Sequence, residues 1–513
     1  MSSTQAAGAD RLPFKTKLAF GLGSGAETIA LYTVSQFAML YYNQVLGLPG
    51  HLAGLAVSAS LILDGLSDPV VGSLSDRTRS RWGRRHIYMF WAPIPIVLAF
   101  IAIFNPPAGL SQWALFAWFM LTVILLRQAM TFYHTPHLAL GGELSRDYTE
   151  RSKVMSYNSF FAWAGGAATS WIALSYFFVD TPEYPRGLLN PEPYAPYSLV
   201  MGAVALAVLF GSAWFTRDRI PLLPKPPAEL PRWSPLEFLK DVGKAFRNVN
   251  YVWLLVGYFF LSIMIGLRQT LHLYVNTFYW ELGSEQIRWF VIGSFAGYFT
   301  AFVVAARLHG RFDKRLTMIV ACVLYAVIPG LPVVLGGMGI LTPQTPGLLA
   351  ILIAIAALGY GAVSVLSISV MSALADIADQ NELKFGVRQE GVLYSTRALF
   401  AKVDQAVGAF IGGLVLTIIA FPTKAKPGQV PDEIVWNLAL WDGVIGGVPG
   451  LIAALFYAKY GINRQSYEAT KAALAALRPK AAVAAAAVQG AEDAPEPLGG
   501  GGTPPQASPR PAE

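Results

Sequence analysis

Charge is scarce in this chain. Asp, Glu, Lys and Arg make up 13% of its 513 residues, against about a quarter in an ordinary soluble domain. With 54% of residues hydrophobic and a mean hydropathy of +0.46, that depletion excludes a soluble globular protein and implies a chain that crosses a bilayer many times. Cysteine is scarcer still. The single Cys322 lies inside an apolar run, so a disulfide framework, a zinc cluster and an iron–sulfur centre are excluded on count. No Gly-x-x-x-x-Gly-Lys-Ser/Thr loop is present, so there is no sign of an ATP motor. Gly21-x-Gly23-x-Gly25 follows no strand and reads as close helix packing rather than a nucleotide loop. The stretch up to about Phe14 lacks the apolar core and small-residue cleavage site of a secretory signal, so the first span is expected to serve as the insertion signal. The spans hold no nucleophile–base set, and neither an enzyme nor a bound cofactor is expected. The net charge of +7 is no nucleic-acid signal, because the basic residues sit in loops between apolar spans.

What the chain does have is about twelve segments long enough to cross roughly 30 Å of hydrocarbon, at about 20 residues each. They lie near 17–46, 51–75, 86–105, 111–140, 152–178, 197–216, 250–280, 285–307, 315–337, 346–374, 390–420 and 434–460. Basic residues collect in alternate loops: Arg77 to Arg85, then Arg146, Arg151 and Lys153, then the long sixth loop, then Arg307 to Arg315, then Lys384 and Arg388. The positive-inside rule puts both termini in the cytoplasm, as an even span count requires. The sixth loop divides the chain. A six-helix half over 1–216, a cytoplasmic linker over 217–249, a second six-helix half over 250–462 and a tail over 463–513 are expected. The linker opens on Pro221, Pro224, Pro226, Pro227 and Pro231, with a short surface helix from Pro235. The tail begins as an amphipathic helix over 463–477 and carries no assigned structure beyond about Gly490. Arg307-Leu-His-Gly310-Arg311-Phe-Asp313-Lys314-Arg315 is a worn copy of the basic turn at Arg77–Arg85, each following the second span of its half. That is the repeat pattern of transporters that rock two halves around a midplane site.

Charged residues inside apolar spans are expensive and mark function. Asp64 and Asp68 lie one turn apart, so both carboxylates share a helix face. Ionised about 6 Å apart at an effective dielectric near 20, they would repel by roughly 2.8 kcal/mol, so the pair is expected to hold a cation or a shared proton; structural carboxylates near the interface are the alternative. Asp76, among Arg77, Arg81 and Arg85, reads as a latch between neighbouring helix ends, or as plain solvated charge. On the fourth span Arg127, Thr131, His134 and Leu138 share one face, too polar for lipid and expected to line a cavity. His134-Thr135-Pro136 offers a helix break beside an ionisable ring. A metal held by His134 and His137 is not expected, since nothing completes a ligand set. Lys402 in the eleventh span needs a partner, and Asp68 or Asp64 is the natural one; the alternative is a fixed salt bridge between the halves. Glu27, Thr28, Arg268, His272, Asn276, Tyr279 and Trp280 complete the cavity candidates.

Asp64-x-x-x-Asp68-Pro-x-x-Gly72 followed by Asp76-Arg77-Thr78-Arg79-Ser80-Arg81-Trp82-Gly83 resembles the glycoside–pentoside–hexuronide:cation symporters, the melibiose-permease group of the major facilitator superfamily. Ala375-Asp376-Ile377-x-Asp379 with Lys384, Val387-Arg388, Glu390 and Lys402 agrees, as does Lys17-Leu18-x-Phe20-Gly21-x-Gly23. The resemblance covers roughly residues 13–465. It implies an all-α polytopic membrane protein with twelve transmembrane helices in two six-helix halves, the major facilitator fold. It also implies a cation site at Asp64, Asp68 and Thr131, with Ser67 at a position usually held by an amide, and a metal only as Na+ at Asp64 and Asp68. Lys402 falls on the family's mid-membrane lysine, and Asp76 and Arg77 on its cytoplasmic gate; Arg81, Arg85 and Arg388 are grouped with that gate. The sugar clamp departs from the pattern. A first-span acid is Thr28, preceded by Glu27; a fourth-span acid is His134; a tryptophan is Leu138; and a fifth-span arginine is Ser159. Four changes in one pocket point away from melibiose, towards another glycoside or hexuronide or a less polar solute.

The function implied is cation-coupled symport of a sugar, glycoside or related small solute by alternating access; a lipid or lysolipid transporter of the same superfamily is the alternative. The coupling ion is H+ or Na+: the missing amide at Ser67 removes an oxygen ligand that hard cations need, while His134 adds a titratable group. The expected setting is the plasma membrane, the inner membrane of a bacterium. The expected partners are a small-molecule substrate and the lipid bilayer, with no nucleic acid and a monomeric chain.

Overall fold

The computed structural model describes residues 12–145, 147–223, 240, 243–385 and 390–477. Among them there is no strand. A backbone inside hydrocarbon has no water to bond, so each span must satisfy its own amides, and helix is the form that does so. The long helices, in chain order, are α1 (Phe14–Thr33), α2 (Gly50–Arg77), α3 (His86–Phe104), α4 (Gln112–Glu143), α5 (Tyr148–Ile172) and α6 (Tyr194–Thr216). They are followed by α7 (Val249–Tyr274), α8 (Phe290–Arg311), α9 (Lys314–Gly337), α10 (Leu348–Phe385), α11 (Glu390–Ile418) and α12 (Asp432–Tyr457). Local signals set their starts. Pro13 and Pro49 stand at the N-caps of α1 and α2. Asp147 accepts the Glu150 amide at 2.8 Å to cap α5, and Asn248 accepts the Asn250 amide at 3.0 Å to cap α7. α1 closes through wide π-helical turns at Val34–Ala38 and Tyr41–Leu46, stopped by Gly47 at φ +90°. α7 closes the same way at Val275–Tyr279.

Ten helices among the described residues are long and apolar enough to cross a membrane. α1 and α5 are not in that set, although the sequence places spans there. The reason is composition: α1 carries Lys17, Glu27 and a run of Gly, Ser and Thr, and α5 opens on Glu150, Arg151 and Lys153. α1 is largely buried and packs against α5 at Gly21, Gly25 and Gly165, so it needs less apolar surface than a lipid-facing helix. The linker from Pro224, its expected surface helix from Pro235, Arg146, Arg388 and the tail beyond 477 lie outside the described residues. Residues 464–477 form the expected amphipathic helix, with Leu474 buried.

The packing repeats. α1 lies against α5 and α6, α2 against α4, and α3 against α4 and α6. Six helices later, α7 lies against α11 and α12, α8 against α10, and α9 against α10 and α12. Between the two sets, α2 runs along α11, where Gly54 faces Gly413 and Ser58 donates to the Ala406 carbonyl at 2.6 Å. α5 meets α8 through Trp163 on Phe295 and Trp171 on Trp289, with ring centroids 5.2 and 5.1 Å apart. Bonds between the sets close the side away from the termini. Gln44 donates to the Pro422 carbonyl (3.1 Å), the His51 amide to Thr417 Oγ1 (3.2 Å), Gln269 to Ser35 (2.6 Å) and Tyr274 to Asn43 (3.1 Å).

Two expected features differ. Pro136 does not break α4, which runs unbroken to Glu143; the lost amide removes one bond from a helix whose neighbours hold it in place. Asp76 and Arg77 stand on the last turn of α2 and not in the loop after it.

Candidate functional site

Midway along α2, Asp64 and Asp68 face α4 and α11. Thr131 of α4 donates to Asp64 Oδ1 at 2.6 Å, and Arg127 Nη1 stands 3.6 Å from Asp64 Oδ2. Lys402 reaches over from α11 and touches both acids, 2.9 Å from Asp64 Oδ2 and 2.6 Å from Asp68 Oδ2. Two carboxylates therefore meet two fixed cations, and the ammonium sits where a free cation bound to both acids would sit. Gly65 makes room: a methyl there would come within 3.2 Å of Leu399 and 3.4 Å of Lys402 Cβ. Ser67 turns its hydroxyl proton onto the Asp64 carbonyl of its own helix at 3.0 Å.

Beside this group lies a second polar cluster on α1 and α4. Glu27 is buried, with Oε2 2.6 Å from His134 Nδ1 and Oε1 2.7 Å from His137 Nδ1. His137 Nε2 lies 3.0 Å from the Phe20 carbonyl. Gly23 permits this approach, since a methyl there would stand 2.9 Å from His137 Nε2. The His134 side chain is 46% exposed, against 1% for His137. Sequence reasoning put Glu27 and His134 near each other but missed His137 as a partner; the signal was there, since residues three apart share a helix face. Among the described residues no group of His, Cys, Asp and Glu has the arrangement of a metal site.

The other cavity candidates divide. Leu138 is exposed, as is Ser159, one turn from Trp163 on α5. Thr28 is half-buried and donates to the Ser24 carbonyl at 2.9 Å. Asn276 is buried, 3.1 Å from His272 Nε2, and His272 stands 3.9 Å from Asp442. Arg268 is no cavity residue. It is buried with its guanidinium on the carbonyls of Tyr325, Ala326, Asp442 and Gly443, where α9 and α12 are interrupted and leave carbonyls without amide partners.

At the end of the bundle near the termini, Arg85 bonds Asp76, Ser75 and, at 2.7 Å, Glu143, while Arg84 reaches Glu143 at 2.8 Å. The acid at the centre is thus Glu143, at the end of α4, which the sequence reading passed over. The signal for it was an acid ending a span beside a loop rich in arginine. Arg77 donates to Ser73 at 3.2 Å, and Arg81 lies exposed by the Trp82 ring. The second set repeats the device, with Lys314 at the start of α9 2.7 Å from Asp376 on α10. Nearby, Lys153 and Lys17 bond Glu150 at 2.7 and 3.1 Å and hold its carboxyl down at about 2.

Residues 19–464 match the model of a family described as MFS/sugar transport protein. An uncharacterized symporter of Synechocystis is 25% identical over 532 residues, covering 88% of this chain and 96% of that one. The isoprimeverose transporter of Lactiplantibacillus pentosus is 25% identical over 450 residues, covering 87% and 89%. A crystal structure of a D-xylose–proton symporter superposes with a TM-score of 0.57 at 15% identity, covering 88% of this chain and 98% of that one. At that identity the likeness is one of fold.

Proposed function

Because the chain belongs to the MFS/sugar transport protein family, a family of membrane transporters and not of enzymes, we propose that it carries a sugar or glycoside together with a cation by alternating access. The observation that carries this reading is Lys402 of the second set held by Asp64 and Asp68 of the first. A cation arriving at the acid pair competes with the lysine for the same oxygens, so ion binding and the contact between halves are linked. Without a free cation the lysine ties the halves; with one, the tie is released and the halves rock. Arg127, His134, Leu138, Ser159, Thr28, Glu27 and Asn276 offer the cavity wall to the substrate. Asp76, Arg77, Arg81 and Arg85, joined by Glu143, form the gate at the termini side, and Arg388, outside the described residues, is assigned to it by the sequence resemblance. We place that side in the cytoplasm of a bacterial inner membrane, count twelve crossings in two halves and take the chain as a monomer that needs no cofactor beyond the coupling ion, H+ or Na+.

Uptake of labelled isoprimeverose, lactose, a glucuronide and melibiose into proteoliposomes tests the reading. One of the first three is expected to accumulate against its gradient, with melibiose not carried, and Asp68→Asn is expected to abolish accumulation while the purified protein stays folded. Concentrative uptake unchanged in Asp68→Asn would remove the acid pair from coupling. Transport of lysolipid with no sugar moved would replace the substrate class.

A further inference from the structure

His137 is held at both ring nitrogens by groups that accept. Nε2 lies 3.0 Å from the Phe20 carbonyl oxygen, which has no proton to give, so Nε2 carries one. The 2.7 Å contact between Nδ1 and Glu27 Oε1 then needs a proton of its own. Either an imidazolium donates to a carboxylate, or a carboxylic acid donates to a neutral ring. In both forms the pair is net neutral and holds one proton more than a carboxylate beside a neutral imidazole. His86 shows the contrast: Thr216 gives its hydroxyl proton to the Ser212 carbonyl (2.7 Å), so His86 donates from Nε2 (3.0 Å), and its Nδ1 has no partner. One proton suffices there.

We propose that Glu27 and His137 form a proton-binding site inside the first helix set, that His134 connects it to the cavity, and that this proton is coupled to transport alongside the ion at the acid pair. The last part rests on the transport reading above. The path is short. From the empty state, a carboxylate between two neutral rings, a proton taken from cavity water by Nε2 of His134 lets the Nδ1 proton pass to Glu27 Oε2, and a turn of the carboxyl brings that same proton to the His137 Nδ1 contact. No net charge stays in the core, and reversing the steps returns the proton to water. The surroundings favour one stored proton and not more. α4 adds Tyr133, whose hydroxyl is spent on the Leu209 carbonyl at 3.1 Å. α2 and α11 bring Asp68 and Lys402 within electrostatic reach of His134, and α3 brings His86 within reach of His137. α5 presents Tyr157, Phe161 and Gly165, and α6 presents Ser212 at Gly23, none of them charged. The acid pair, meanwhile, has its charge met by Lys402 and Arg127, so the stored proton and the cation site are separate devices on facing helices.

The test uses the full chain in lipid bilayers with 15N-labelled histidine, at pH 7 and without sugar. The expected result is a His137 resonance with both nitrogens protonated, identified by its loss in His137→Gln, or a carboxylic-acid infrared band. Whichever form is present should vanish in Glu27→Gln, whose amide satisfies a neutral ring, and should persist in Glu27→Asp. A singly protonated His137 with no acid band lost in Glu27→Gln would overturn the site. A second arm uses wild-type proteoliposomes loaded with a pH dye, with isoprimeverose as the probe and no sodium. Sugar-driven proton entry supports the coupling, and accumulation that requires sodium and ignores a pH gradient overturns it. If no sugar moves while the spectroscopic signature is present, the site stands and the transport reading fails separately.

Discussion

Lys402 makes the sharpest statement a single residue can make here. Its ammonium is within 2.9 Å of two carboxylates on another helix, and removing it leaves both facing each other with Arg127 alone as counter-charge. Breaking a buried ion pair from one side costs roughly 3–5 kcal/mol; Lys402 keeps 26% exposure, so Lys402→Met should cost about 2 kcal/mol. In an Asp68→Asn background the same substitution should cost less, and a double-mutant cycle in chemical denaturation reads the difference as the coupling. Additive costs would mean that the pair is geometry without energy. Glu150 gives the pH counterpart outside the spans. Its carboxyl, bonded by Lys153 and Lys17, is lowered from 4.5 to about 2. A lowered acid stabilises the fold above its unfolded value and loses that contribution as pH falls through the folded one. Stability should therefore decline between about pH 4.5 and pH 2, and Glu150→Gln should flatten that part of the profile. An unchanged acid limb in the variant would assign it to other carboxylates.

At the scale of the helix, the contact between α2 and α11 depends on backbone approaching backbone. A methyl on Gly413 would run into the Gly50 carbonyl and the Gly54 Cα, whereas one on Gly211 of α6 meets nothing within 4 Å. Gly413→Ala should destabilise by about 1–3 kcal/mol through overpacking, while Gly211→Ala should be neutral or stabilise by up to about 1 kcal/mol by stiffening the unfolded chain. Equal effects on thermal unfolding would show that α2 and α11 have room to part. The elements also show what was legible beforehand. Spans such as α3 and α10 stand out because each carries a long, strongly apolar stretch. Asp64, Asp68 and Lys402 stand out because charge in such a run has no cheap explanation. α1 was harder, since a helix buried in protein is released from the apolar rule, and α5 was harder because it opens on Glu150, Arg151 and Lys153. His137 and Glu143 were hidden for another reason: a lone polar residue declares its type but not its partner, and the partners here lie elsewhere in the chain, Glu27 on α1 and Arg84 and Arg85 in the turn before α3. Arg268 misled because buried arginine reads as a ligand group, and only the breaks in α9 and α12 reveal the carbonyls that need it.

For the molecule as a whole, the two sets repeat one packing scheme but meet unequally. α2 and α11 run together, while α5 and α8 touch through aromatic pairs and the side away from the termini is bonded shut. A transporter caught with one side closed must break those bonds to show the other face, and the hinge has to be the long α2–α11 contact near Lys402. The two ends of each half are tied differently: Arg85 to Glu143 and Lys314 to Asp376 hold helices within a set, so each set is braced to move as a body. That arrangement predicts where a cross-link stops the cycle. His51 and Thr417 face each other across the sets on the closed side, and Cys322, the native thiol, is buried against the Gly450 carbonyl, so an introduced pair can be oxidised without interference. His51→Cys with Thr417→Cys, once oxidised, should halt concentrative uptake, and reductant should restore it. In the same background Ser159→Cys should still react with a thiol reagent supplied from the termini side, because a link on the closed face leaves the other face open. Uptake surviving full oxidation would mean that the closed side never opens at this point, and the rocking motion would have to be placed on the α5–α8 contact instead.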